Sequence, residues 1–275
     1  MSDRMPDQTE PPVPETESSR KKGFAFAYLA FILSALTGLF LLGTMMVTHL
    51  GFISFELGFR TLTLDAGPRL ALVSLAIAAI SLLVSLFVSP KRNALWAMAA
   101  VVISGGILFG YNMYDRALKA YPPIADVATN WDRPLSFSEK LVTTRGPGAL
   151  PIEDKPVVKS DMASEWNGKS LATVNQATCP AAKTLNRTLA DTQIADVAAA
   201  LKKKHFRVFG TAPWRIEATH QDNFYGFRSD IVIRIDPISV DVRSVSRYPH
   251  PDLGENCRLV TDVLDIIKNI AEVTP

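Results

Sequence analysis

The sequence predicts a membrane α-helical part with three transmembrane helices, followed by a C-terminal α+β domain. In that domain, an antiparallel sheet of about four strands carries two helices packed on one face. Three observations predict this architecture. Three long stretches contain no charged residue, a later run alternates between apolar and other residues with the period of a strand, and amphipathic helical patterns lie before and after that run.

Composition excludes one class of partner. The 275 residues carry 29 Lys and Arg against 27 Asp and Glu, and the formal net charge is +2. A nucleic-acid-binding protein needs a strong basic excess, so we expect no nucleic acid partner.

The uncharged stretches are Gly23–Thr48, Leu70–Pro90 and Asn93–Tyr114. Each is long enough to cross about 30 Å of hydrocarbon at about 1.5 Å per residue. Buried helices of a soluble protein are the alternative, but they would need apolar faces all round and a large core to surround them. Residues 23–114 are therefore predicted to form a three-helix transmembrane region in contact with the lipid bilayer.

The first 22 residues are polar and rich in proline, which predicts a disordered tail. A cleaved secretory signal is the alternative, but the apolar stretch after the tail is too long and no small-residue cleavage site closes it. Basic clusters at Arg20–Lys22 and at Lys91–Arg92 favour the cytoplasmic side. We therefore expect a multi-pass protein of the bacterial inner membrane with a cytoplasmic N-terminus and a periplasmic C-terminal domain.

The transmembrane stretches have the features of structural helices. None contains a charged residue, whereas transport pathways usually need one. The third carries two small-residue patterns, Ala100-x-x-x-Ser104 and Gly106-x-x-x-Gly110, which favour close helix packing.

After the helices, residues 115–180 are predicted to form an extended linker and loop with one short helix at most, because they are rich in proline, glycine and polar residues. The α+β domain is expected over residues 181–275. It begins with a helix over Thr192–Lys204, for which Asp191 is a possible N-cap, and a first strand over Phe206–Phe209 ended by Gly210.

The next strands are predicted at Trp214–Thr219 and in a hairpin around Asp236–Ser239, a four-residue turn containing proline. This turn places Ile235 opposite Val240. One face of the hairpin is then apolar and needs a cover of helices, whereas the other carries charged residues, with Arg234 opposite Asp241. The closing helix is predicted to start near Asp252 or Gly254 and to present an apolar stripe.

The two cysteines, Cys179 and Cys257, both lie in the part expected outside the cytoplasm, where a disulfide is permitted. The alternative is a buried Cys257 with an unrelated thiol at Cys179. The bridge would stabilise the fold by about 4 kcal/mol in the chain-entropy model.

No established catalytic motif is present. The four histidines have no metal-ligand spacing to cysteines or carboxylates, and the chain contains no nucleophile elbow and no phosphate-binding glycine loop. We therefore expect no metal, no cofactor and no enzymatic activity. Glu217, Asp230 and Asp241 share the charged face, so an uncharacterised hydrolase using two of these carboxylates stays open as an alternative.

Several runs resemble a bacterial envelope family, the domain of unknown function numbered 1499. The runs are FYGFRSDIVIRI, VDVRSVSR and DLGEN, and the segment Tyr121–Asp132 is similar to the start of the family pattern. The resemblance implies an envelope domain of this fold but no activity. It also implies that certain residues match the family motif, namely Asp230, Arg234, Arg243, Ser246, Arg247, Asp252, Gly254 and Asn256. Ser229 and Tyr248–Pro251 depart from that motif.

The charged face is the predicted binding site, since its arginines outnumber their carboxylates and unpaired guanidinium groups suit an anion. The candidate residues are Arg228, Asp230, Arg234, Arg243, Ser246, Arg247, Asp252 and Asn256. The alternative is a structural ion-pair network that fixes the sheet and the start of the closing helix, with Asp252 as its N-cap, and the residues favour this network slightly over binding. The expected ligand is a lipid, an anionic envelope component or a partner protein, and a purely structural membrane scaffold is a further possibility.

Overall fold

The computed structural model describes residues 17–87, 90–146, 148–159 and 165–273. Its helices are α1 (Glu17–His49), α2 (Gly67–Phe87), α3 (Pro90–Ala120), α4 (Glu139–Thr143), α5 (Leu171–Thr178), α6 (Asp191–Lys203) and α7 (Glu255–Val273), and a π-helical segment covers Glu56–Ala66. The strands are β1 (Asp126–Ala128), β2 (Arg207–Ala212), β3 (Arg215–Gln221), β4 (Arg228–Ile235) and β5 (Val240–Ser246).

Three helical stretches are long and apolar enough to cross a membrane: Ala25–His49, Glu56–Phe87 and Asn93–Ala120. The second begins earlier than the predicted stretch Leu70–Pro90, because the chain is already helical from Glu56 onward. The predicted disordered tail lies mostly outside the described residues, but α1 begins at Glu17, inside that tail.

The chain divides into two compact units. Among the described residues, the first holds those up to Thr44 and Arg60–Tyr111, and the second holds Met45–Phe59 and those from Asn112 onward. In the first unit, small residues make the helix contacts, since Ala30, Ala78 and Ala100 form one buried cluster.

The Ala100 and Ser104 pattern packs as expected, whereas the glycine pattern does not. Ser104 is fully buried and its Oγ donates to Ser34 Oγ at 2.9 Å. A side chain added at Gly106 or Gly110 would meet no atom within 4 Å. These two glycines therefore face away from the neighbouring helices of their unit.

The second unit contains the predicted α+β domain, with a sheet of five antiparallel strands in the order β1-β5-β4-β3-β2. The register matches the prediction: Ile235 pairs with Val240 and Arg234 pairs with Asp241. The turn closes through the N–H of Asp236, which donates to the Ser239 carbonyl at 2.8 Å.

The fifth strand is β1, which pairs with β5 through Asp126 opposite Val245. It lies in the expected linker over 115–180, so that expectation is corrected. Residues of this stretch complete the sheet and its core, and α5 packs near β1. The cause is long-range pairing, which local composition does not reveal.

The apolar face of the sheet packs against α5, α6 and α7. Ile231, Ile233 and Val242 are fully buried there, together with Val197 of α6 and Leu264 of α7. The Cys179–Cys257 disulfide is present, joins the end of α5 to α7 and spans a sequence separation of 78.

Two local predictions need correction. The N-cap position of α6 is Ala190, not Asp191, and the Gln193 side chain accepts the N–H of Ala190 at 2.9 Å. β2 continues through Gly210, since a register shift between Val208 and Gly210 absorbs one residue and lets the strand run on to Ala212.

The charged face is covered by residues 133–146 and 148–153, which we call the covering segment. Leu135, Phe137 and Leu141 of this segment pack against Val232 and Val245 of the sheet. The charged face is therefore largely an interior surface, in contrast to the exposed face that an anion site would need.

Candidate functional site

Arg243 lies in the interior of the domain and forms an ion pair with Asp126. Its Nε donates to Asp126 Oδ1 at 3.0 Å and its Nη2 to Oδ2 at 2.6 Å. The other guanidinium protons reach the carbonyls of Leu135 and Glu153 at 3.0 and 2.7 Å. Burial raises the pKa of Asp126, and the hydrogen bonds from Arg243 act in the opposite direction.

Asp230 is shared by two arginines. Arg145 donates to Asp230 Oδ2 at 2.6 Å, and Arg247 donates to both carboxylate oxygens at 2.9 and 2.7 Å. Thr219 adds a hydroxyl at 2.7 Å. Because one carboxylate serves two guanidinium groups, this buried cluster retains an excess of positive charge.

Arg234 pairs with Asp241, as the register predicted: its Nη2 lies 2.6 Å from Asp241 Oδ2. Burial acts to raise the pKa of Asp241. Hydrogen bonds from Thr184, Arg234 and Thr129 outweigh this effect and hold the pKa below its ordinary value. Asp230 and Arg243 lie diagonally across β4 and β5 but bind other partners, Arg247 and Asp126 respectively.

The prediction of unpaired guanidinium groups on this face is therefore wrong for Arg234, Arg243 and Arg247. All three are engaged by carboxylates and carbonyls. These contacts are those of a structural network that ties β1, β4, β5 and the covering segment together.

The three carboxylates of the hydrolase alternative lie in separate networks. Glu217 accepts the backbone N–H of Ser138 at 2.6 Å and the Ser138 hydroxyl, and Arg215 approaches it at 3.4 Å. Asp230 and Asp241 bind the groups named above. Each carboxylate is thus occupied by its own partners.

One part of the charged face is not covered. Beside Arg247, a cavity of about 230 Å³ is lined by Thr144, His205, Arg207, Phe209, Thr219, Gln221, Arg228 and Arg247. We call it the basic groove. Its lining contains three arginines and one histidine and no carboxylate.

Arg207 and Arg228 are the accessible cations of the basic groove. Both are exposed, and neither has a carboxylate partner in the described part of the chain. They come together because Arg207 pairs with Thr219 and Arg228 with Gln221, two residues on the same face of β3. Arg207 also lies 5.3 Å from the Phe209 ring centroid.

Of the eight predicted binding residues, only Arg228 and Arg247 line the basic groove. Arg207 and His205 were not predicted, although the run from Lys202 to Arg207 contains five basic residues. His205 adopts a left-handed backbone conformation with φ 65°. Such a conformation is uncommon for a residue with a side chain.

Ser246, Asp252 and Asn256 lie on the helix side of the sheet. The Asn256 amide donates to Ser246 Oγ at 2.9 Å and to Asp252 at 2.7 Å, and Ser244 donates to Asn256 Oδ1 at 2.6 Å. Asp252 lies in the turn before α7, which begins at Glu255. Its carboxylate accepts the backbone N–H groups of Gly254 and Asn256 at 3.0 and 2.9 Å. Burial raises the pKa of Asp252.

A second cavity, of about 340 Å³, borders these residues. Its lining comprises Phe59, Tyr114, His220, Asp222, Phe224, Tyr225, Phe227, Ser229, Ser246, His250, Pro251, Asp252, Leu253 and Glu255. We call it the aromatic pocket. Five of these residues are Phe or Tyr, and most of the wall is apolar.

The rings around the aromatic pocket form a connected cluster. The ring centroid of Phe227 lies 4.5 Å from that of His250 and 5.0 Å from that of Phe59. The ring centroids of Phe59 and Tyr225 are 4.9 Å apart. Sequence reasoning missed this cluster, because its residues come from the π-helical segment, the β3–β4 connection and the loop after β5. The aromatic run from Phe224 to Phe227 was the available signal.

Within the described ranges, no group of three or more His, Cys, Asp or Glu residues is arranged to hold a metal ion.

Comparison with known proteins identifies the domain. Neither the curated proteins nor the solved structures include a significant match to this chain. A family model described as a protein of unknown function (DUF1499) matches residues 126–267, from β1 to the middle of α7. This match covers more than half of the chain and includes both the charged network and the basic groove, so the protein belongs to the DUF1499 family.

Proposed function

We propose that this protein is a non-enzymatic, membrane-anchored component of the bacterial envelope whose C-terminal domain binds an anionic group in the basic groove. The observation that carries the proposal is the groove itself, in which exposed Arg207 and Arg228 lie beside Arg247 without a carboxylate. Planar guanidinium groups recognise phosphate and carboxylate through paired hydrogen bonds.

The electrostatics beneath the basic groove support the same ligand class. Asp230 is the acidic residue under its floor and is already shared by Arg145 and Arg247. An anion in the groove would offset this excess of positive charge. Phosphate of a lipid head group and carboxylate of an envelope polymer both meet this requirement.

The proposed location is the inner membrane, with the N-terminus in the cytoplasm and the domain in the periplasm. The basic clusters Arg20–Lys22 and Lys91–Arg92 support this orientation. The Cys179–Cys257 disulfide supports an oxidising compartment for the domain. The separate networks of Glu217, Asp230 and Asp241 support a binding role over hydrolysis.

The test is calorimetric titration of the full-length protein in an uncharged detergent. Glycerol phosphate and glucuronate represent the two anion classes, and glycerol and glucose are their uncharged counterparts. We expect at least one anion to bind, its uncharged counterpart not to bind, and the double variant Arg207→Gln, Arg228→Gln to lose about tenfold or more in affinity.

Arg133→Gln is the matched control, because Arg133 is an exposed arginine outside the basic groove. It should keep wild-type affinity. Equal binding of charged and uncharged probes, or unchanged affinity in the double variant, would remove the basis of the proposal.

A further inference from the structure

The aromatic pocket differs from the basic groove in the sign of its charges. Its lining contains Asp222, Asp252 and Glu255 but neither Lys nor Arg. The ligand preference of this second site is therefore independent of the basic groove.

Among the residues that the structure describes, two of the three carboxylates have no Lys or Arg partner. Asp222 accepts the backbone N–H of Phe224 at 2.6 Å, of Tyr225 at 3.0 Å and of Phe227. Asp252 bonds to backbone N–H groups and to the Asn256 amide. Neither forms an ion pair with Lys or Arg among the described residues, whereas Glu255 is paired with Arg258 at 2.6 Å.

The two histidines of the wall do not supply the missing positive charge. Burial lowers the pKa of both His220 and His250. His250 Nδ1 lies 2.7 Å from the Pro251 carbonyl, to which it donates, and its buried Nε2 has no hydrogen-bond partner in the described part of the chain. In this neutral state, His250 contributes an aromatic ring to the wall.

We propose that the aromatic pocket binds an organic cation, a quaternary or protonated amine. Its apolar substituents would contact the rings of Phe59, Tyr225 and Phe227, and its charge would lie near Asp222 and Asp252. Aromatic faces attract cations through their quadrupole, and this attraction is stronger in a site with little water.

The volume limits the size of the ligand. A cavity of about 340 Å³ lies at the low end of the range for small-molecule sites, which is about 300 Å³ upward. It suits a compact amine of head-group size. The amine of a lipid head group and a free amine share this chemistry.

The first test compares two probes of the same shape on the wild-type protein. Choline and its uncharged carbon isostere, dimethylbutanol, are titrated calorimetrically into the full-length protein in a maltoside detergent. We expect choline to bind about tenfold or more tightly than the isostere, because only choline carries the charge. Equal affinities, or no binding of choline, would overturn the proposal.

A variant series locates the site. Phe227→Leu keeps an apolar side chain but removes the aromatic face, so choline affinity should fall about three- to tenfold. Trp214→Leu removes an exposed aromatic residue outside the pocket lining and should change nothing. Unchanged choline affinity in Phe227→Leu would place the binding elsewhere and refute the assignment.

Two further comparisons separate this site from the basic groove and identify the source of the amine. The Arg207→Gln, Arg228→Gln double variant should bind choline like the wild type, even if it loses anion binding. If the amine belongs to a lipid, nanodiscs that contain phosphatidylethanolamine should weaken choline binding by competition. Nanodiscs that contain phosphatidylglycerol should not. Competition by phosphatidylglycerol alone would contradict a cation site.

Discussion

Arg243 and Asp126 form a buried, two-point ion pair that joins β5 to β1, at distances of 3.0 and 2.6 Å. The strand β1 has only three residues, and backbone pairing alone gives it few hydrogen bonds. The ion pair therefore anchors the edge of the sheet and, through the Leu135 and Glu153 carbonyls, also the covering segment.

Breaking this pair should strongly destabilise the domain. Arg243→Met leaves Asp126 buried without its partner, at an expected cost of about 3–5 kcal/mol in the free energy of unfolding. Thermal unfolding of the purified protein, followed by circular dichroism, measures the shift. Replacing both residues, with Asp126→Leu added, should recover part of the loss.

Arg258→Met is the matched control, since Arg258 is half exposed and pairs with Glu255 and Asp262 on the surface of α7. Its loss should cost about 1 kcal/mol or less. A small effect of Arg243→Met, equal to that of the control, would show that the buried pair does not anchor β1.

The disulfide should contribute substantially to stability. Since it closes a loop with a sequence separation of 78, the chain-entropy model predicts about 4 kcal/mol. Cys179→Ala with Cys257→Ala should lower the melting temperature, and reduction of the wild type should lower it by a similar amount. If reduction leaves the wild-type melting temperature unchanged, the bridge does not constrain the unfolded chain.

Acidification should weaken the aromatic cluster through His250. Burial holds its folded-state pKa below the ordinary value of 6.5. Between the folded-state pKa and 6.5, the unfolded chain binds more protons than the folded protein. The stability of the fold therefore falls as the pH drops below 6.5.

The variant His250→Phe keeps a ring and removes the titrating group. The decrease in melting temperature on going from neutral pH to about pH 5 should therefore be smaller than in the wild type. His205→Asn, a change at an exposed histidine outside the cluster, should keep the wild-type slope. Parallel curves for His250→Phe and the wild type would exclude His250 as a source of the pH dependence.

The proposed orientation is testable in cells. Alkaline phosphatase folds into an active enzyme only in an oxidising compartment, so a fusion after residue 275 should be active. A fluorescent protein that matures only in the cytoplasm should stay dark at the same position. The reverse pattern would place the domain in the cytoplasm and contradict the proposed location.

Local patterns predicted the hairpin, the helices that flank the sheet and the three apolar helices. The register followed from one four-residue turn, since strand alternation then fixes which side chains share a face. Ile235 opposite Val240 and Arg234 opposite Asp241 are the pairs that this reasoning predicted and the structure contains.

The covering segment and β1 could not be predicted in the same way. Asp126 meets Arg243 across a sequence separation of 117, and Arg145 meets Asp230 across 85. Neither segment has a sustained apolar period, because β1 has only three residues and the covering segment combines a few apolar contacts with specific polar ones. The arginines were therefore predicted to be exposed, when most of them lie inside the domain.

The basic groove could not be predicted from local sequence patterns either. Arg228 was a predicted binding residue, but its neighbour Arg207 lies on β2, and only the pairing of both strands with β3 brings them together. The ring cluster of the aromatic pocket combines residues from the π-helical segment, the β3–β4 connection and the loop after β5, and only the run from Phe224 to Phe227 was visible in the sequence.

Native mass spectrometry of the full-length protein, extracted from the envelope in a mild uncharged detergent, tests anion binding in the basic groove most directly. We expect a co-purified anionic molecule that is retained by the wild type and by Arg133→Gln. The Arg207→Gln, Arg228→Gln variant should have lost this molecule. An anionic adduct that persists in the double variant, or a wild type that carries no anion, would contradict anion binding in the basic groove.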